Sequence, residues 1–128
     1  DIPNGATVIN GEGKFLMPGL WDSHVHLTYE PEMTNSMFDL FIVNGITSVR
    51  DTGGELELVI PLTQQAYASP KTTPRVKVAG PLLDGVPTVY DGVSRIKLGE
   101  GAFTAEEAKA LVDRYVEVLR QAYPYADL

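Results

Sequence analysis

Three strand-like stretches, each followed by a stretch of helical periodicity, restrict the folds open to this chain. Leu20 to Leu27, Ile46 to Arg50 and Arg75 to Ala79 read as strands. After the first, Met33, Met37, Leu40 and Phe41 recur at helical spacing and Asn44-Gly45 supplies a left-handed stop. That spacing predicts a helix over 34–43 with Met33, Met37 and Phe41 in the core. A second helix is expected over about 56–68, where Pro61 implies a kink or a start near Ile60. A third, over about 104–122, opens on a capping box of Thr104 and Glu107. It carries an apolar stripe of Ala108, Leu111, Val112, Tyr115, Val118, Leu119 and Ala122. Its polar residues Glu106, Glu107, Asp113 and Glu117 form a solvated face. Strand followed by helix, three times over, requires a parallel sheet with right-handed crossovers.

The segments outside this rhythm are less regular. Thr7-Val8-Ile9 and Lys14-Phe15-Leu16 look like short strands around an Asn10-Gly11-Glu12-Gly13 turn. Gly80 to Gly101 reads as a long loop of low regularity, and Ala126-Asp127-Leu128 as the start of a fourth strand.

The chemistry gathers at the end of the first strand. His24 and His26 are the only two histidines of the chain. Alternation along a strand puts Asp22, His24 and His26 on one face and Trp21, Ser23 and Val25 on the other. Two imidazoles on one face can present ring nitrogens to the same metal ion. Both an open doubly wound sheet and the first part of a (β/α)8 barrel satisfy the strand order. Thr28-Tyr29-Glu30-Pro31 is no glycine-rich phosphate turn, and ligand chemistry at a strand's C-terminal end is where barrels keep their active sites. The barrel is therefore preferred, and three βα units supply under half of one.

Composition sets the bounds. At 128 residues with 44% apolar content the chain fits one domain, and no apolar run approaches the ~20 residues of a membrane span. With no cysteine, disulfides and thiolate metal sites are excluded, and a net charge of −7 argues against nucleic acid as a partner. The chain opens at Asp1 without Met, so a cytoplasmic and a periplasmic or secreted location both stay open.

Three segments resemble the amidohydrolase superfamily, the metal-dependent hydrolases that include imidazolonepropionases, dihydroorotases and prolidase-like peptidases. Val8 to Leu27, with Pro18-Gly19 ahead of Asp22-Ser23-His24-Val25-His26, is similar to the passage from that family's small β domain into its first barrel strand. Asn44-Gly45-Ile46-Thr47-Ser48-Val49-Arg50-Asp51-Thr52-Gly53-Gly54 resembles the second strand and its loop, and Pro74 to Pro81 the third. The 80–101 loop and the helix after it look most like the imidazolonepropionase-like and prolidase-like members.

The resemblance implies an α/β fold, the first three βα units of a (β/α)8 barrel over 17–128, preceded at 1–16 by part of the small β domain. It implies hydrolysis of amide, peptide or cyclic amide C–N bonds by metal-activated water, with one or two divalent ions, usually zinc. His24 and His26 match the first metal-ligand pair, and Asp22 matches the acid that orients the strand beneath them. The family's later ligands, a lysine or acid, two histidines and an aspartate, fall on strands four to eight, beyond these 128 residues. No catalytic acid or base is therefore expected within the chain, which alone is expected to be inactive and not to retain metal. The implied partners are a small amide or peptide substrate and the remaining half of the barrel or another copy of the chain, with no nucleic acid and no membrane.

Other readings compete at single positions. Asp51 is a possible substrate contact or a loop cap. Gly53-Gly54 reads as a tight turn before a phosphate cradle. Tyr90, Asp91, Arg95 and Lys97 read as a solvated loop before a substrate contact. The whole chain could instead be a non-catalytic α/β module that self-associates through exposed sheet edges. A phosphodiesterase barrel also uses His-x-His but is not expected to carry the Asn44 to Gly54 segment.

Overall fold

The computed structural model describes residues 1–90 and 98–122. Asp91, Arg95, Lys97 and the strand expected at 126–128 lie outside the described residues. A parallel sheet of three strands forms the body: β1 (Leu20–Val25), β2 (Ile46–Asp51) and β3 (Arg75–Val78), in the order β1-β2-β3. Helix α1 (Thr34–Val43) connects β1 to β2, and α2 (Leu56–Ala68) connects β2 to β3. Parallel neighbours cannot be joined by a tight turn, so each crossover carries a helix back to the start of the next strand.

The core lies where these helices meet the sheet. Leu27, Phe38, Val49 and Ala66 are buried together, with Val25, Met37, Phe41, Ile46, Leu62 and Val76 packed around them. A second cluster joins α2 to α3 (Ala105–Ala122) through Leu56, Tyr115 and Leu119. The inward face of α1 differs from the sequence expectation. Thr34 and Phe38 are its buried residues, whereas Met33 is 55% exposed and lies in a short 3-10 turn before the helix. The Thr34 hydroxyl donates to the Leu27 carbonyl at 2.7 Å, which fixes the rotation of the helix and brings Phe38, one turn on, into the core.

Helix α2 runs from Leu56 through Pro61 to Ala68, the range expected from sequence, and not from the alternative start near Ile60. Proline removes one N–H to the carbonyl four residues back, which here belongs to Glu57. Pro61 and Glu57 both lie on the exposed side, away from the buried Leu56, Val59, Thr63 and Ala66. At the start of α3 the Glu107 N–H donates to the Thr104 hydroxyl at 3.1 Å, and the Glu107 carboxylate accepts the N–H groups of Phe103 and Thr104. The reciprocal pair satisfies amides that the helix itself leaves open.

Two expectations are corrected. The 80–101 segment is not a loop of low regularity throughout: β4 (Leu82–Gly85) and β5 (Gly99–Ala102) pair in parallel as a second sheet. Their sequences, LLDG and GEGA, carry no alternation, and what holds them is long-range backbone bonding such as Leu82 N–H to Leu98 C=O at 3.0 Å. Conversely, 7–9 and 14–16 form no strands. Phe15 and Leu16 are fully exposed, and no described segment lies alongside to complete a ladder.

Close packing under the β2 loop sets a steric requirement at Gly54. A Cβ there would sit 2.5 Å from Thr28 Oγ1 and 2.7 Å from Val59 Cγ1, whereas a Cβ on Gly85 would meet open space. Gly54→Ala should therefore destabilise the chain by about 1–3 kcal/mol through overpacking. Gly85→Ala should change stability by less than about 0.5 kcal/mol. Urea unfolding of the two variants beside wild type measures the difference.

Candidate active site at the C-terminal rim of the sheet

The three parallel strands end on the same side, and their loops interlock there. Pairing of β1 with β2 shifts register between Leu20 and Trp21 and again between Asp22 and Val25, and it stops at Val25, opposite Asp51, two residues before the Leu27 expected from sequence. The second shift puts Asp22 on the face of Val25 and corrects the expectation that Asp22, His24 and His26 share one face. The ladder stops because a side chain takes over. The Leu27 N–H donates to Asp51 Oδ2 at 2.7 Å, and the Gly53 N–H donates to Asp51 Oδ1 at 3.0 Å. The Asp51 backbone carbonyl accepts Ala79 N–H at 3.1 Å, and Gly54 N–H reaches the Gly80 carbonyl at 3.4 Å. One aspartate thus binds the exits of β1, β2 and β3.

Asp51 has no solvent exposure. Burial pushes its carboxyl above the ordinary value of 3.8, while the N–H groups of Leu27 and Gly53 and the nearby His26 pull it partly back. Both oxygens being engaged with backbone, the geometry is that of the loop-capping alternative raised by the sequence.

On this rim His24 and His26 stand side by side. Their ring centroids are 5.2 Å apart with an interplanar angle of 84°. Val25 and Leu27, at the alternate positions, pack into the core, so the two imidazoles share the opposite face. Asp22 is on the same strand, and its Oδ1 accepts the His24 backbone N–H at 3.2 Å. It acts on the main chain of the His-x-His segment.

A residue that sequence reasoning did not single out completes the cluster. Tyr29 stacks on His26, with centroids 4.1 Å apart and planes within 13° of parallel. Its hydroxyl is buried without a hydrogen-bond partner among the described residues, as are His26 Nδ1 and Thr28 Oγ1. Burial first, then the proximity of Tyr90 and Asp51, pushes the Tyr29 phenol up from its ordinary value, so it stays neutral. Nothing in the sequence flags this contact beyond the three-residue offset from His26. Gly53 lies close as well: a Cβ there would come within 3.6 Å of the His26 ring.

The donor chemistry suits a divalent metal in part. Two neutral imidazoles can supply two of the about four ligands that zinc takes, and a buried, unpartnered imidazole nitrogen is a donor in search of an acceptor or cation. Among the described residues no group of three or more His, Asp and Glu side chains could hold a metal ion.

Known proteins resemble this chain in sequence and in fold. The chain is 29% identical over 107 residues, 83% of its length, to an imidazolonepropionase from Idiomarina loihiensis. Its fold matches a prolidase solved with N-methylphosphonate-L-proline bound, at a TM-score of 0.71 and 20% identity over 92% of the chain. It also matches a solved amidohydrolase at a TM-score of 0.67 and 24% identity over 92% of the chain. In sequence the chain is similar to this imidazolonepropionase, and in fold to the prolidase and the amidohydrolase. It spans 25% of the imidazolonepropionase, 35% of the prolidase chain and 35% of the solved amidohydrolase. No protein-family model matches it.

The Asp51 clamp has measurable consequences. Asp51→Ala strands two buried N–H groups and should cost about 2–4 kcal/mol of stability. Asp51→Asn should cost less, since one oxygen still accepts. Because the folded chain holds the Asp51 proton more tightly than the unfolded chain, its contribution to stability is greatest below pH 3.8. That contribution falls as pH rises through the raised folded value. Asn does not titrate, so the slope of unfolding free energy against pH just above 3.8 should be less negative in Asp51→Asn, as read from urea titrations at stepped pH.

Proposed function

We propose that the chain supplies the first three βα units of a (β/α)8 barrel, with 1–16 contributing to a small β domain, in a metal-dependent amidohydrolase that hydrolyses C–N bonds. The observation that carries this reading is the placement of His24 and His26, adjacent on one face at the C-terminal rim of a parallel sheet, where barrel enzymes assemble their sites. Exposed apolar surface on the outer strand supports further strands beyond it: Leu20 and Trp21 of β1 are 49% and 54% exposed.

In this reading His24 and His26 are metal ligands. When bound, a divalent ion of the zinc type supplies Lewis acidity, lowering the pKa of water to ~7 and polarising a carbonyl. The residues of this chain prepare the place. Asp22 holds the backbone at His24, and Asp51 fixes where β1 ends, so the two rings are set on a rigid strand exit rather than a free loop. Asp51 works through the main chain, each of its oxygens accepting a backbone N–H. The remaining ligands, the proton-transferring group and most of the substrate pocket belong to later strands. The relatives, one an imidazolonepropionase and one a prolidase, support an amide, peptide or cyclic amide as the bond cleaved.

The test uses the longer protein that contains this chain, loaded with zinc and assayed on acyl amino acids, dipeptides and cyclic amides. Hydrolysis of at least one class, abolished by chelation and restored by metal, is expected. His24→Ala and His26→Ala should each lower metal affinity by more than the about 10–100-fold that loss of a supporting contact costs, and activity with it. Zinc-independent activity, or full metal affinity in both variants, would overturn the assignment.

A further inference from the structure

A ligating imidazole has to be held in one orientation, and the usual device is a hydrogen bond from its other ring nitrogen to a carboxylate or carbonyl. Among the described residues His26 has no such bond: its Nδ1 is buried without a partner. What touches the ring instead is aromatic. Tyr29 lies flat against one face at 4.1 Å, closer than the roughly 4.5–7 Å common for aromatic pairs, and His24 meets it edge-on at 5.2 Å.

Tyr29 can press on His26 because the loop that carries it is closed at its base. Leu27 donates its N–H to Asp51 and accepts the Thr34 hydroxyl on its carbonyl, so residues 27 and 34 are tied together and 28–33 form a pinned loop. Within that loop the Met33 N–H donates to the Glu30 carbonyl at 2.9 Å, forming a turn just after Tyr29. The Tyr29 hydroxyl makes no hydrogen bond, so the ring, and not the hydroxyl, makes the contact that matters.

We propose that Tyr29 is a positioning residue for His26, its ring orienting the imidazole by stacking where a hydrogen bond would ordinarily do so. The proposal rests on the assignment of His26 as a metal ligand only for its functional consequence. The stack itself is independent of metal.

Two measurements test it separately. In the metal-free 128-residue chain, ring-current shielding should move the His26 ring protons upfield in the NMR spectrum of wild type. Tyr29→Phe should keep the shift and Tyr29→Leu should lose it. Wild-type His26 protons at the free-imidazole position would overturn the proposal with no variant needed. In the longer protein, zinc competition against a chelator should show Tyr29→Phe within about threefold of wild type and Tyr29→Leu weakened about 10–100-fold. Unchanged zinc affinity in Tyr29→Leu would overturn the positioning role. If Tyr29→Leu does not fold, judged by circular dichroism, Tyr29→Trp replaces it: a larger stacking ring should retain affinity, and a loss there counts against the role. His26→Ala is the control that separates the two claims. Full zinc affinity in that variant removes His26 from the ligand set, while the ring-proton shift still decides whether Tyr29 orients it.

Discussion

A single buried carboxylate, that of Asp51, holds the functional end of this chain together. A carboxylate with no solvent exposure is costly unless its oxygens are satisfied, and here each accepts a backbone N–H. The two donors come from different segments, Leu27 beyond β1 and Gly53 beyond β2. The main-chain carbonyl of the same residue takes a third donor beyond β3. Remove the side chain, and the point where β1 leaves the sheet is no longer defined.

The placement of the histidines follows from that constraint. Leu27 is fixed by Asp51 from its N–H, by Thr34 at its carbonyl and by the core around its side chain. Counting back from a fixed Leu27, Val25 packs against the core, and the rings of His26 and His24 on either side of it meet edge to face. Counting forward, the loop closed by Thr34 brings Tyr29 over His26. Gly53 and Gly54 permit the approach, because neither leaves room for a side chain against Leu82, Thr28 or Val59.

Features encoded by near neighbours were legible in the sequence. The strand-helix rhythm calls for a parallel sheet, and the chain has one. The α3 cap is readable because Thr104 and Glu107 are three residues apart. The resemblance carried by Val8 to Leu27 and Asn44 to Gly54 points to the same superfamily that the comparisons do. Features set by distant contacts were not legible. β4 and β5 have no strand-like pattern and are held by each other's backbone. Phe38 is in the core instead of Met33 because a threonine one turn away bonds to Leu27, beyond the end of β1. Within the site, the identity of Asp51 as a clamp for Leu27, 24 residues away, and the Tyr29 stack both depend on the fold having already formed. The apolar residues of 7–9 and 14–16 look like strands by propensity, but propensity alone closes no ladder.

The account turns on whether His24 and His26 bind one metal ion. Anomalous diffraction at the zinc edge, from crystals of the longer protein grown with zinc, tests this directly. If they do, an anomalous peak lies within bonding distance, about 2.0–2.1 Å, of a ring nitrogen from each histidine. Zinc bound elsewhere, with these two imidazoles turned away from it, would remove both from the ligand set.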